Sequence, residues 1–177
     1  MDSGSVPWVV LIVRPRSERR VELGLRNVGV ETFVAWHGVP RRWSDRVKVL
    51  HENLFTGCVF CRSTFADRIM VKGQPGVQSL VRFNGKPAMI ADEQIAVVRR
   101  LLESGLPVGP WPFVDSGERV RIEHGVLAGV EGKLADGRVV VGVEALQMSI
   151  AVQVDLGQIF PQRGGRSGSG FIQRTKQ

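Results

Sequence analysis

Two cysteines three residues apart, Cys58 and Cys61, are the only thiols in the chain. A C-x-x-C pair carries either redox or metal chemistry. Zinc needs two more ligands, and no second cysteine pair completes a tetrahedral set. A redox pair sits at a helix N-terminus, where the thiolate is stabilised, whereas Gly57-Cys58-Val59-Phe60-Cys61-Arg62 reads as an apolar strand. Both cysteines are therefore expected to be core or half-buried residues. The three histidines, His37, His51 and His124, are scattered, and His51-Glu52 beside the cysteines is the one cluster with the look of a site. No G-x-S-x-G, H-E-x-x-H or P-loop motif occurs. The expectation is a protein with no catalysis of its own, no metal and no cofactor.

Arginines form the second constellation. Arg14, Arg16, Arg19 and Arg20 cluster where a first helix should begin, and Arg41 and Arg42 precede Trp43. The first group suits phosphate contacts, each adding salt-dependent affinity, or else a solvated helix face. The second suits stacking on single-stranded DNA, or else a plain hairpin tip. The formal charge is +7, from 24 basic and 17 acidic side chains, and basic proteins tend to meet polyanions. The excess is concentrated, however. Beyond Gln162 lie Arg163, Arg166, Arg174 and Lys176 with no acid, which leaves only +3 for the rest of the chain. That balance fits a protein partner with incidental nucleic-acid contact. No apolar run approaches the roughly 20 residues of a membrane span, and Met1 to Ser5 has no secretory character, so a cytoplasmic location is expected.

These residues need elements to position them. Trp8 to Val13, W-V-V-L-I-V, reads as a short buried strand ended by Pro15. Ser17 is placed to cap a helix, Glu18 suits its first turn, and Val21, Leu25 and Val28 recur at helical spacing. Asn27 and Gly29 mark its end. A strand is expected over 30–35, a basic turn over 37–42, alternation over 43–50 with Val47 and Val49 on one face, and another strand over 54–62. A short helix over 65–72 is broken by Gly73, Pro75 and Gly76. A core strand over 77–83 follows. Asp92 should cap a helix running to Glu103, with Ile95, Val98 and Leu102 as the buried stripe and Gly105 as its stop. The order β-α-β-β-β-α-β-α with antiparallel pairing predicts an α+β sandwich.

Residues 105–115 change character, with Pro107, Gly109, Pro110 and Pro112 reading as a stiff linker between domains 6–104 and 116–162. Past it, Val120-Arg121-Ile122, Val139-Val140-Val141 and Ala151-Val152-Gln153-Val154 are closely spaced short strands with glycine turns, the pattern of a small β-barrel. Residues 1–5 and the low-complexity tail 163–177 are expected to be disordered.

Two stretches carry a family resemblance. Gly117 to Gly132, G-E-R-V-R-I-E-H-G-V-L-A-G-V-E-G, resembles a KOW motif, in which Gly125, Gly129 and Gly132 permit positive φ and close strand approach. Val139 to Asp155 resembles the remainder of that barrel. Asn53-Leu54-Phe55-Thr56-Gly57-Cys58-Val59-Phe60 is similar to the L-F-P-G-Y-V-F strand of the NusG N-terminal domain, and Trp8-Val9-Val10 and Arg14-Pro15-Arg16 match its opening strand and basic turn. Order and spacing agree from about Trp8 to Pro161. The chain thus resembles a NusG-like elongation and antitermination factor: an N-terminal α/β sandwich with an antiparallel sheet, linked to a small SH3-like KOW β-barrel. Thr56 and Cys58 replace the usual proline and tyrosine, and with the basic tail this favours a specialised paralogue. A switch of the barrel into helices is disfavoured by its dense valines and glycines, which are weak helix formers.

The resemblance implies a monomer whose N-terminal domain docks on the clamp helices of the largest RNA polymerase subunit, bridges the DNA cleft, holds the clamp shut and suppresses pausing. The barrel then recruits a second partner, the ribosome through NusE or the termination factor Rho. It implies polymerase contacts at Trp8, Phe55, Cys58 and Phe60, with Gly57 letting a partner helix approach and Ser63 and Thr64 near a second contact. The alternative is that these are plain core residues; a strand alternates faces and both cannot meet the partner, so Phe55 and Cys58 are the better candidates and Phe60 the weaker. It places Arg14, Arg16 and Arg19 near upstream DNA and Arg41 and Arg42 near a non-template strand. Ala145, Leu146 and Met148 fall on the barrel loop that meets the second partner, as an apolar patch or as barrel core. The alternatives are a KOW-containing RNA- or ribosome-binding protein and a nucleic-acid chaperone driven by the basic tail.

Overall fold

The computed structural model describes residues 6–64 and 67–162; the expectations for 1–5 and 163–177, and the start of the helix expected at Phe65, lie outside them. β1 (Trp8–Val13) is followed by α1 (Glu18–Asn27), β2 (Thr32–Phe33), β3 (Trp36–Arg42), β4 (Val47–Asn53), β5 (Cys58–Arg62), α2 (Asp67–Lys72) and β6 (Val77–Leu80). Then come β7 (Arg82–Phe83), β8 (Lys86–Pro87), β9 (Met89–Ile90) and α3 (Asp92–Glu103). The sheet order is β2-β5-β1-β6, with β9 also paired to β1, all antiparallel. β1 is central, which is why its six residues are almost wholly apolar rather than alternating.

The two faces of this sheet bury different sets. Val9, Leu11, Val13, Val59 and Cys61 pack with Val21 and Leu25 of α1 and Val71 of α2. Trp8, Val10, Cys58 and Phe60 share a second cluster with Ile95, Val98 and Leu101 of α3. Leu101, fully buried, takes the place expected for Leu102, which is half-buried. Each such aliphatic side chain removed from water contributes about 1.5–3 kcal/mol.

Ser17 stands at the N-cap of α1 but its side chain makes no capping bond. The helix end is built as expected: Gly29 adopts φ 80, and the Gly29 and Val30 amides donate to the Arg26 and Leu25 carbonyls, both at 3.0 Å. Residues 37–42 are not a turn. They are most of β3, paired along seven residues with β4, from Trp36↔Asn53 to Arg42↔Val47, and the reversal falls at Trp43–Arg46. Gly38 and Pro40 are tolerated because β3 has one partner only. The strand expected over 54–62 begins at Cys58, after a turn, and the strand expected over 77–83 is split into β6 and the small β7–β8 hairpin.

The proline-rich segment is also a strand. β10 (Val108–Pro112) pairs with β14 (Met148–Val152) from Val108↔Val152 to Pro112↔Met148, at the edge of a six-stranded antiparallel sheet. An edge needs donors on one side only, so Pro110 and Pro112 fit. β11 (Glu118–Ile122), β12 (Glu131–Ala135), β13 (Arg138–Val143) and β15 (Ile159–Pro161) complete the order β10-β14-β13-β12-β11-β15. Gly132 of β12 is required by close approach: a Cβ there would lie 2.7 Å from the Val140 carbonyl oxygen. The barrel core of Val120, Ile122, Val139, Ile150 and Val152 is continuous with that of α3, and the Arg100 guanidinium on α3 donates to the carbonyls of Val126 (3.3 Å) and Ala128 (2.9 Å).

Candidate interaction surfaces

The apolar residues expected to meet a partner helix are inside. Trp8 is 2 % exposed, Cys58 5 %, and Phe55 and Phe60 0 %. The rings of Phe55 and Phe60 meet edge-on at 5.6 Å, and Phe33 packs on Phe60 at 5.7 Å. This corrects the expectation of an open patch at Trp8, Phe55, Cys58 and Phe60. β5 lies between β1 and β2 with both faces covered, and the turn before it folds Leu54 and Phe55 inward, so alternation of faces does not extend across 54–58. Buried Asn53 holds that turn: its amide nitrogen donates to the Phe55 (2.8 Å) and Cys58 (2.9 Å) carbonyls, and its oxygen accepts from the Phe55 amide (3.1 Å). Gly57, at φ 77, donates its amide to the buried Glu18 carboxylate at 2.8 Å. Ser63 is fully buried, its hydroxyl donating to the Thr64 carbonyl, whereas Thr64 is exposed. Thr56 and Thr64 are exposed at opposite ends of β5, and Gly57 is half-buried.

Trp8 is held at its edge and over its ring. Its indole N–H donates to Asp92 Oδ1 at 2.7 Å, and the Arg62 and Arg99 guanidinia stand 4.8 and 5.8 Å from its ring centroid. Arg62 in turn pairs with Glu31 at 2.7 Å and Asp92 at 2.6 Å.

The thiols are core residues, as the strand reading has it. Burial, with the Glu18 charge nearby, pushes Cys58 up to about 11, and burial pushes Cys61 up to about 12. Among the described residues no group of three or more His, Cys, Asp or Glu side chains is placed to hold a metal, and no helix is long and apolar enough to cross a membrane.

Arg14, Arg16, Arg19 and Arg20 are exposed. Arg16 and Arg19 line a cleft of about 660 Å³ between the start of α1 and the base of the β3–β4 hairpin, together with Trp36, His51 and Thr56. The Arg19 guanidinium lies 5.5 Å from the centroid of the Trp36 ring, whose N–H donates to Glu22 at 3.1 Å. Arg41 and Arg42 sit at the far end of the same hairpin, Arg41 paired with Glu52 at 2.9 Å. The sequence reading missed Trp36 and His51 as cleft residues. The signal was the β3–β4 register, which brings both to one side.

In the barrel, Gly125 and Gly129 take φ 84 and 85, and the Gly129 amide donates to the Ile122 carbonyl at 2.7 Å. Ala145, Leu146 and Met148 are half-buried against the core rather than an exposed patch. The exposed apolar side chains of the barrel are Val126, Leu156 and Phe160.

Residues 7–99 match the family model described as transcription termination factor nusG, more than half of the chain. The chain belongs to the NusG family. Among solved structures it is similar to the NusG of Thermotoga maritima, in a structure titled "Domain interaction in Thermotoga maritima NusG", with a TM-score of 0.52 and 19% identity over 86% of this chain and 95% of that one. That likeness is one of fold, and it extends through the β-rich C-terminal half of this NusG-like chain. No curated protein matches it. NusG proteins are non-enzymatic transcription factors that interact with RNA polymerase, and the present chain is a NusG-like transcription factor.

Proposed function

We propose that this NusG-like chain is an elongation factor that binds RNA polymerase through its N-terminal domain, residues 6–104. It suppresses pausing and modulates termination, while the barrel, whose sheet begins with β10 at Val108, recruits a second partner, the ribosome through NusE or Rho. The observation that carries this reading is the family match over residues 7–99, the whole of the N-terminal sheet and most of α3. Binding of this kind acts through differential affinity: a factor that touches both sides of the polymerase cleft only when the clamp is closed stabilises the closed state. No covalent step is involved.

The polymerase contact is assigned to the rim around the buried aromatic cluster. Thr56 is exposed and Gly57 half-buried at the start of β5, over Phe55 and Cys58, and Thr64 is exposed at its other end, beside Trp8 and Ser63. Gly57 supports the assignment, since the bare backbone of a glycine admits a helix closely. Arg14, Arg16 and Arg19 face upstream DNA in this reading, and the protein acts as a monomer. A KOW-type ribosome- or RNA-binding role is less well supported, because the family match lies outside the barrel.

The test is capture of core RNA polymerase by the full chain, followed by transcription across a pause site and a Rho-dependent terminator. Stoichiometric capture with a shortened pause is expected. Absence of capture, with ribosome binding instead, would sink the reading.

A further inference from the structure

We propose that the outer face of the barrel sheet, between Phe113 and the first turn of α3, binds a small zwitterion of dipeptide size. The proposal stands apart from the polymerase reading and does not rest on it. Opposed residues of an antiparallel pair share a face. The register sets Arg119, Lys133 and Val140 in one row across β11, β12 and β13. Two residues further along lie Glu131, on β12, and Gly142 paired with Ser149. The opposite face of the sheet sends Val139, Ile150 and Val152 into the core. The segment after β10 crosses the outer face, strapped by Lys133, whose ammonium donates to the carbonyls of Val114 (2.8 Å) and Asp115 (2.6 Å). Both rows, with Phe113 and with Gln94 of α3, line a cavity of about 380 Å³.

One polar atom on this lining is uncommitted. Ser149 is 1% exposed, and its Oγ has no hydrogen-bond partner among the described residues. A hydroxyl shut away from solvent normally finds one. Gly142 shows where it points: a Cβ added there would lie 3.7 Å from the Ser149 Oγ and 3.3 Å from Cε2 of the Phe113 ring. Hydroxyl and ring thus converge on the bare glycine that floors the cavity. A ligand's polar atom and its apolar face would each find a partner there.

Charge decides the class of occupant. Arg119 and Glu144 line the cavity, and neither makes an ion pair among the described residues. Lys133 adds a second cation. Glu131 adds a second acid, reached by Arg121 only at 4.0 Å. An anion would face two carboxylates, a cation would face two cationic heads, and an apolar molecule would leave Ser149 unpaired. A zwitterion pairs at both ends. The rows stand about 7 Å apart along the strands, and an extended dipeptide spans at most about 7 Å. At ~30 Å³ per water the cavity holds roughly a dozen waters, enough for a dipeptide with small side chains and too little for a folded partner. Gln94 belongs to α3 and the rest of the lining to the barrel, so an occupant ties the two together.

The experiment is a titration of the isotope-labelled full chain with glycylglycine, followed by amide NMR. N-acetylglycylglycine, which keeps only the carboxylate, and glycylglycinamide, which keeps only the ammonium, run beside it. Glycylglycine is expected to give saturable shifts at Glu131, Gly142 and Ser149 and at the Gln94 side-chain amide, with a Kd on the order of a millimolar. Each singly charged probe is expected to bind at least about tenfold more weakly. Arg119→Gln should weaken glycylglycine by about tenfold and leave glycylglycinamide unchanged. Glu144→Gln should weaken glycylglycine by a similar factor and leave N-acetylglycylglycine unchanged. Ser149→Ala should weaken glycylglycine about threefold to tenfold without lowering the melting temperature of the free protein, because the hydroxyl removed has no protein partner. Glycylglycine should raise the melting temperature of the unaltered chain in step with its concentration. Lys86→Gln, on β8, is the control and leaves binding unchanged, and circular dichroism checks that each variant is folded. No saturation by about 50 mM, equal binding of either singly charged probe, or shifts confined to other residues each overturns the site. So does unchanged affinity in both Arg119→Gln and Glu144→Gln, or a Ser149→Ala variant that melts lower and binds as before.

Discussion

Trp8 separates a core residue from a contact residue by measurement. Its indole is 2 % exposed, bonded through its N–H to Asp92 and flanked by two guanidinia. Trp8→Ala removes the ring from a closed site. The expected loss is about 4 kcal/mol, within the range for large aromatic truncations. Trp8→Phe keeps a ring in the site for Arg62 and Arg99 and loses only the N–H bond at 2.7 Å. The acceptor is charged, which raises the worth of that bond, but Asp92 is 45% exposed and keeps Arg62 at 2.6 Å. The net cost is therefore expected to be about 1 kcal/mol. Urea unfolding followed by far-UV circular dichroism reads both. With a slope of about 2 kcal/mol per molar, midpoints should fall by ~0.5 M for phenylalanine and ~2 M for alanine. Equal losses would mean that the N–H, and not ring packing, holds the site. Unchanged midpoints together with weakened polymerase capture would refute the core assignment and return Trp8 to the surface.

Glu18→Ala leaves the Gly57 amide without its acceptor and should cost about 1–3 kcal/mol in thermal or urea unfolding, with Glu18→Gln losing less because an oxygen remains. Gly132→Ala drives a methyl group into the Val140 carbonyl and should cost ~1–3 kcal/mol, whereas Gly109→Ala, with nothing within 4 Å of the added carbon, should change stability by less than about 0.5 kcal/mol. Cys58 stands at about 11 against an ordinary 9.0, so at pH 8 its thiolate is about a hundredfold scarcer and a thiol reagent should label it only on unfolding. Because the folded state holds the proton longer than the unfolded one, both cysteines stabilise fully below pH 9.0, and their contribution falls as pH rises toward 11–12. His37 is lowered from 6.5 by burial, partly opposed by Glu52, so its contribution is complete above pH 6.5 and declines as pH falls through its folded value; His37→Asn should flatten that acid limb of a stability–pH curve.

Much of the N-terminal sheet was legible because its signals are local. W-V-V-L-I-V predicts a strand buried on both faces, and it is the central one. Val21 and Leu25 predict the inner face of α1, and Ile95 and Val98 that of α3. The misreadings share a cause: they depend on a partner far along the chain. Gly38 and Pro40 read as a turn until β4 supplies a single neighbour. Pro107 to Pro112 read as a linker until β14 pairs with it. Trp8, Phe55 and Phe60 stand as contacts only by family resemblance, with plain core as the alternative, and only the positions of α3 and the 54–58 turn decide that they are inside. Arg14, Arg16, Arg19 and Arg20 lie on the surface, as charge alone predicts, since exposed charge needs no tertiary partner to be recognised. The cleft they line was not legible, because His51 reaches it through a cross-strand register and not through spacing along the chain.

The pairing of β10 with β14 sets the length of the leash between the two halves of the molecule. α3 closes at Glu103 and the ladder opens at Val108, so four residues lie between. Fully stretched they reach about 14 Å. Whatever the barrel grips is thereby kept within a short radius of the N-terminal sheet, at a local concentration in the millimolar range or above. To roam further, the barrel must first peel off its own first strand.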